Sequence, residues 1–204
     1  VSAFFSHGVD STEIFSKLKI AESTGYKKHL NTHDVIRIDF SRMPRNCNSY
    51  DQYIERIERI LIQDLMEAYP KADIQEEDAV WDSLDLVYER YGCQRFIFVF
   101  DEWDCIFHKD FITDEDKKKY ISFLSSLLKD KAYVLLSYMT GILPIAKYSS
   151  GSELNMFAEY TMVSEEKFSD AFGFTEAEVD MLYALFLKNT GKPLLSRSGL
   201  KEWY

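Results

Sequence analysis

The chain has 204 residues, of which 46% are hydrophobic and 28% charged, an ordinary globular composition with length enough for one sizeable core. Its formal net charge of −10 argues against a general nucleic-acid-binding surface, because neutralising phosphates requires clustered Lys and Arg. The longest mostly apolar run, "YVLLSYMTGILPI", is too short to span a bilayer, and the three cysteines lack CxxC spacing. We therefore expect a cytoplasmic protein with no membrane partner.

The first predicted elements are one strand and two helices. The mostly apolar run "VIRIDF" at 35–40 predicts a buried strand. Ser49 and Gln52 form a predicted capping box before "YIERIERILIQDLMEAYP", where apolar residues recur at helical spacing. The second helix is predicted in "AVWDSLDLVYERYG", with Gly92 as its C-terminal cap.

The central predicted strand, "FIFVF" at 96–100, is followed within four positions by the carboxylates of Asp101, Glu102 and Asp104. Burying charge without a partner is costly. A divalent cation and its waters would satisfy these acids. An apolar strand followed by Asp-Glu is the pattern of the second nucleotide motif, Walker B, of P-loop ATPases.

Further along the chain, "DEDKKKYISFLSSLLKD" at 114–130 predicts a third helix, and "YVLLSYM" at 133–139 predicts a third strand. A weaker fourth strand is predicted at 159–163. The C-terminal pattern is helical, with Thr175 and Glu178 as a capping box before a helix that ends at Gly191.

Strands that alternate with helices predict an α/β fold with a three-layer parallel sheet, and continuous apolar runs indicate strands covered on both faces. We expect residues 1–170 to form a P-loop NTPase-like core. Residues 171–204 are expected to be a small helical extension, either a lid or the start of a following domain.

Ligands of open parallel sheets gather at the carboxyl ends of the strands. Asp101 is therefore the candidate for the Mg²⁺ shell and nucleotide binding, and Glu102 for orienting or activating the attacking water. Asp104 is a second metal-associated candidate, or a helix N-terminal cap. On the neighbouring strand, Thr140 is the first candidate to contact the γ-phosphate or the water, and Ser137 is the second.

The phosphate loop of such ATPases, G-x-x-x-x-G-K-[ST], does not occur in these 204 residues. The closest run, "TGKP" at 190–193, lacks the upstream Gly and follows a predicted helix rather than a strand. We interpret it as a helix terminus.

Several stretches together resemble the AAA-ATPase-like family, in which an ATPase domain is often followed by a PD-(D/E)XK nuclease-like domain. They stand in the family's order: "VIRIDFS" at 35–41, "FVFDEWD" at 98–104, "MTGILPIAKY" at 139–148, "SELNMFAEYTM" at 152–162, "FGFTEAEV" at 172–179 and "GLKEWY" at 199–204.

The resemblance implies ATP and Mg²⁺ as cofactors, with Asp101 as the magnesium-associated Asp and Glu102 as the water-activating Glu. It also implies that the phosphate loop and its strand precede Val1, so that this stretch alone is expected to be catalytically inactive. Nucleic acid would be a partner only through an absent downstream domain, and homo-oligomerisation stays open.

Two other functions are compatible with the same residues. One is a non-hydrolysing interaction module that keeps the nucleotide fold. The other is a metal-dependent nuclease built on Asp101, Glu102 and Asp104, although such chemistry usually needs a Lys near the second carboxylate and Lys109 stands at a distance.

Overall fold

Three parallel strands and several helices make up the described part of this computed structural model, which covers residues 1–145, 148, 152–161, 173–191 and 196–203. The strands are β1 (Asp34–Asp39), β2 (Phe96–Asp101) and β3 (Val134–Met139). They are ordered β1-β2-β3, so β2 lies in the middle. The predicted mixed α/β class with a parallel sheet is confirmed.

Helices precede β1, and helices also connect the strands, as crossovers between parallel strands require. In chain order the α-helices are α1 (Ser2–Phe5), α2 (Thr12–Phe15), α3 (Tyr26–His29), α4 (Tyr50–Ala68), α5 (Val80–Arg90), α6 (Asp114–Leu128), α7 (Glu176–Thr190) and α8 (Arg197–Trp203). Short 3-10 turns lie at Lys19–Glu22, Pro70–Ala72 and Cys105–His108. Helices α4 and α5 connect β1 to β2, and α6 connects β2 to β3.

The middle strand, β2, contributes most of the buried side chains of the sheet. Phe96, Phe98 and Phe100 belong to the main hydrophobic cluster, together with side chains of α4, α5 and α6. Successive side chains of a strand point to opposite faces. Ile97 and Val99 are therefore on the other face; both are buried, but they lie outside that cluster.

Burial along the outer strands differs from the expectation of strands covered on both faces. Only β2 is buried over nearly its whole length, whereas β1 and β3 are mostly half-buried. Leu135 and Leu136 of β3 are each 43% exposed. The physical reason is position, because β3 is an edge strand of the described sheet and β2 has a neighbour on each side.

The helix caps explain where the helices begin. The Ser49 hydroxyl accepts from the Gln52 backbone N–H at 3.3 Å, but Gln52 reaches back to Asn48 rather than to Ser49, so half of the predicted box forms. Helix α6 has a full capping box between Thr113 and Asp116. The sequence reading missed it because the third residue is Asp rather than the usual Glu or Gln.

The chain divides into two compact units, Val1–Phe157 and Ala158–Tyr204. In the second unit, the predicted box of Thr175 and Glu178 is present, and Gly191, with φ 70°, is the C-terminal cap of α7. The interpretation of "TGKP" as a helix terminus is thus confirmed for its first two residues, and the rest lies outside the described residues. The predicted domain boundary after residue 170 also lies outside them.

The weaker predicted strand at 159–163 does not form over its described residues. Glu159, Tyr160 and Thr161 have no strand conformation and are exposed. The last two positions of that prediction lie outside the described part of the chain.

Candidate functional site

The candidate site lies where the three strands end on one edge of the sheet. Asp39, the last residue of β1, is the register partner of Asp101, the last residue of β2. Thr140 directly follows β3, and its backbone N–H donates to the Phe100 carbonyl at 2.9 Å. Because all strands are parallel, these three polar residues lie at the carboxyl edge; the sequence predicted this for Asp101 and Thr140 but not for Asp39.

The sheet geometry decides which way Asp101 points. Alternation places its side chain on the face of Ile97 and Val99, opposite the helix-packed face. This side chain is 47% exposed, so a carboxylate at the end of a buried strand stays in reach of solvent and ligands. The cost of burying charge, which made the acidic strand end unusual, is thereby largely avoided.

Asp101 is held by groups from both neighbouring strands. The Thr140 hydroxyl donates to its Oδ1 at 2.6 Å. From β1, Arg37 Nη2 lies 3.8 Å from its Oδ2, and the Arg37 side chain is 49% exposed. The carboxylate therefore has one hydrogen bond and one loose, solvent-screened ion pair.

Glu102 stands beside this pair in a left-handed backbone conformation with φ 53°. Its side chain is exposed, and its carboxylate forms no hydrogen bond or ion pair with any described residue. Its backbone carbonyl accepts from the Cys105 N–H at 2.9 Å, which fixes the turn after β2. The turn thus presents a solvated carboxylate next to Asp101.

Asp104 has a different environment from the other two acids. It is 1% exposed, and its Oδ2 accepts from the backbone N–H groups of Ile142 at 3.0 Å and Leu143 at 2.7 Å. Its Oδ1 is buried and has no hydrogen-bond partner among the described residues. The predicted role of Asp104 as a metal ligand stays a prediction, and the geometry places its carboxylate inside the protein.

Ser137, the second hydroxyl candidate, is not brought together with Asp101. It pairs in register with Phe98, on the helix-packed face of the sheet, and its hydroxyl is buried. Thr140 continues the opposite face of β3 and contacts the acid directly. Of the two candidates, only Thr140 lies beside the carboxylates.

Two residues of the site were missed by the sequence reading. Arg37 reaches Asp101 from the neighbouring strand, which no sequence spacing reveals without the register. Asp39 could have been found, because it too is an acid at the end of an apolar strand. The pKa of the Asp39 carboxyl is lowered, above all by the Ser41 hydroxyl that donates to it at 2.6 Å, with further help from Arg42.

The donor set at this edge suits a hard cation such as Mg²⁺. The carboxylates of Asp101 and Glu102 and the Thr140 hydroxyl present oxygen atoms, the ligand type that Mg²⁺ prefers. Within the described ranges, no three or more His, Cys, Asp or Glu side chains are grouped to hold a metal ion. Mg²⁺ is usually bound through one or two carboxylates plus substrate phosphates and water, and the half-exposed Asp101 fits that mode.

Comparison with known proteins adds a family to this geometry. Residues 1–150 match the family model of AAA-ATPase-like proteins, described as predicted AAA-ATPases. No curated protein and no solved structure matches the chain. Among the described residues, no helix combines the length and apolar character needed to cross a bilayer.

Proposed function

Since the chain belongs to the AAA-ATPase-like family, we propose that it is the nucleotide-binding part of a Mg²⁺-dependent ATPase that hydrolyses the β–γ bond of ATP. One observation carries this proposal: Thr140, Asp101 and Glu102 are adjacent at the carboxyl edge of a parallel sheet. This is the edge at which open α/β folds bind their ligands.

Each side chain has a distinct part in the proposal. Asp101 associates with the magnesium ion, and the Thr140 hydroxyl fixes the orientation of that carboxylate. Glu102 orients the attacking water and accepts its proton, for which an exposed carboxylate free of internal hydrogen bonds is suited. Magnesium, when bound with ATP, neutralises charge on the phosphate oxygens.

The fold belongs to the proposal as well. We place β1, β2 and β3 in a three-layer P-loop NTPase-like core. The phosphates would be held by residues outside these 204, because the run G-x-x-x-x-G-K-[ST] is absent from them. Helix α7, within residues 171–204, would be part of a lid or of a following domain.

The proposed partners follow from the same chemistry. The ligand is a nucleotide, and nucleic acid would be contacted only through a separate domain, because the net charge of −10 disfavours binding of a nucleic-acid backbone, with its many phosphates, by this one. We place the protein in the cytoplasm and leave homo-oligomerisation open.

A nuclease built on three acids is less well supported. It needs Asp104 beside Asp101 and Glu102 at a shared metal, whereas the Asp104 carboxylate is buried and accepts two backbone hydrogen bonds. A magnesium-dependent nicking assay would test for this nuclease activity.

The proposed ATPase is tested by Mg²⁺-ATP binding and hydrolysis in the full-length protein and in its Glu102→Gln variant. We expect the variant to bind ATP but to hydrolyse it roughly 10²- to 10⁴-fold more slowly, the usual contribution of a positioned base. The matched control is Glu89→Gln, an exposed Glu near the end of α5 and therefore close to the start of β2, at the opposite edge of the sheet. Its hydrolysis rate should equal that of the wild type.

Three outcomes would contradict parts of the proposal. If the wild type neither binds nor hydrolyses ATP, the ATPase assignment is wrong. Binding without turnover in the wild type would instead indicate the non-hydrolysing interaction module. Equal rates for Glu102→Gln and the wild type would remove Glu102 from catalysis.

A further inference from the structure

The loop that follows β3 is attached to the turn that follows β2 by the buried carboxylate of Asp104. One of its oxygens accepts from two successive backbone N–H groups, those of Ile142 and Leu143. Hydrogen bonds to a carboxylate are stronger than those between neutral groups, and burial strengthens them further. This single side chain therefore fixes two residues of the loop.

A second contact lies one residue earlier in the same loop. A Cβ atom added to Gly141 would stand 2.4 Å from Trp103 Cδ1 and 2.6 Å from Asp104 Oδ1. Such distances are far below van der Waals contact, so only glycine allows the loop to lie this close to the turn. The buried Trp103 ring and the Asp104 carboxylate form the surface on which Gly141 rests.

Backbone hydrogen bonds extend this attachment to Thr140. The Trp103 N–H donates to the Thr140 carbonyl at 3.1 Å, and the Trp103 carbonyl accepts from the Tyr120 hydroxyl at 2.7 Å. Complete burial raises the pKa of the Tyr120 hydroxyl well above its ordinary value, so the group stays a donor. Thr140 is thus fixed on its carbonyl side by the turn and on its amide side by Phe100.

We propose that Asp104 is a positioning residue of the nucleotide site. It fixes Gly141, Ile142 and Leu143 against the turn after β2, and the fixed loop holds the Thr140 hydroxyl in place to donate to Asp101. The inference rests on the proposed function for its catalytic consequence. Its structural part, the fixing of the loop, stands on the two hydrogen bonds and the burial of Asp104.

The test compares Asp104→Ala, Asp104→Asn and Gly141→Ala with the wild type in the full-length protein. The readouts are amide hydrogen exchange at Ile142 and Leu143, kcat and KM for ATP, and the Mg²⁺ concentration at half-maximal rate. Asp110→Ala is the matched control, because it removes an exposed acid from the same connection between β2 and α6.

We expect Asp104→Ala to lower kcat about 10- to 100-fold, since a small misplacement of a positioned group has effects of this size. Exchange at Ile142 and Leu143 should rise about tenfold, while KM and the Mg²⁺ requirement stay close to wild type. Asp104→Asn keeps an oxygen that can accept both N–H groups and should retain most of the kcat. Gly141→Ala should reproduce the loss while Asp104 is retained in the sequence, because the added Cβ would force the loop away from the turn.

Several results would overturn the inference. Unchanged exchange at Ile142 and Leu143 in Asp104→Ala would show that the carboxylate does not fix the loop. A raised Mg²⁺ requirement in Asp104→Asn would show that Asp104 is a metal ligand instead.

Two further results distinguish a folding defect, or a failure of the proposed function, from a failure of the inference itself. If Asp104→Ala does not fold, Asp104→Asn and Gly141→Ala decide, and wild-type kcat in Gly141→Ala would refute the positioning role. If the wild type hydrolyses no ATP, the proposed function has failed, and the exchange rates alone decide whether Asp104 fixes the loop.

Discussion

Glu102 takes a left-handed backbone conformation that is uncommon for a residue with a side chain. The chain has to leave β2 and at once bury the Trp103 ring while the Trp103 N–H reaches the Thr140 carbonyl. An L-residue with this conformation costs about 1–2 kcal/mol relative to a right-handed one.

This strain leads to a prediction for Glu102→Gly. Glycine removes the cost of the left-handed conformation but loses about 0.5–1 kcal/mol through its greater freedom in the unfolded chain. The free energy of unfolding should therefore rise by about 0.5–1 kcal/mol while ATP hydrolysis is lost. Urea unfolding and a turnover assay measure the two effects.

Asp130→Gly is the matched control for this prediction. Asp130 is also exposed and has φ 55°, but it lies after the C-terminal end of α6 rather than at the strand ends. It should be stabilised by a similar amount and keep its full hydrolysis rate. A loss of stability in Glu102→Gly would show that the Glu102 side chain contributes to folding.

Among the helices, α6 and α7 have the same kind of N-terminal cap but differ in how many of their side chains are buried. Each has 15 residues and a full capping box at its N-terminus. Six side chains of α6 are buried, whereas none of α7 is. Because most helix stability in proteins comes from packing an apolar face, the two helices should respond differently to the loss of a cap.

We predict that Thr113→Ala lowers the stability of the first unit by about 1 kcal/mol, the usual cost of an N-terminal cap. The helix it caps is part of the core, so the whole unit shares the loss. Urea unfolding followed by circular dichroism measures it. An unchanged midpoint would mean that the cap contributes nothing once α6 is packed.

Thr175→Ala is the companion variant, with the same change at the start of α7. Hydrogen exchange of the α7 amides should rise, because this helix relies on its cap and on exposed ion pairs from Arg197 to Glu176 and Asp180. The unfolding midpoint of the first unit should not change.

For the whole molecule, the main feature is that the hydrophobic core formed by the described residues lies in one unit. Every fully buried member of the main cluster lies between Ile38 and Leu154, within the unit Val1–Phe157. The described side chains of the second unit include exposed apolar residues, such as Met181 at 66% and Leu185 at 54%. Burial of apolar area is the main source of folding free energy, so the first unit should fold without the second.

We accordingly predict that residues 1–157 alone unfold cooperatively, with a free energy of unfolding within about 0.5 kcal/mol of that of residues 1–204, as for independent sites. Urea unfolding of both chains, followed by the fluorescence of Trp81 and Trp103, measures this. Loss of the cooperative transition in the shorter chain would show that the second unit completes the core.

The sequence by itself determined the parallel α/β class, the positions of three strands and the acids that end β2. Continuous apolar runs are distinctive of buried strands, and a carboxylate after such a run has few explanations. It also determined Thr140 as the candidate on the neighbouring strand, and the caps of α7. These features are local, so spacing and residue type suffice to predict them.

Only the tertiary structure decided which side chains meet. The register between β2 and β3 shifts by one residue after Phe96, so that Ile97 pairs with Leu136. Without this shift Ser137 would pair with Val99, on the face of Asp101, and Thr140 would point to the opposite face. A one-residue slip moves every later side chain of a strand to the other face.

The same reason explains Arg37, Asp39 and Asp104. Arg37 and Asp39 are brought towards Asp101 by the register of β1 with β2. The Asp104 side chain points inward, where its carboxylate accepts hydrogen bonds from the backbone N–H groups of Ile142 and Leu143, which lie 38 and 39 residues further along the chain. Pairing across strands depends on contacts distant in the sequence, and no local pattern encodes them. The sequence therefore specified the chemical groups of the candidate site, and the folded sheet specified which of them lie together.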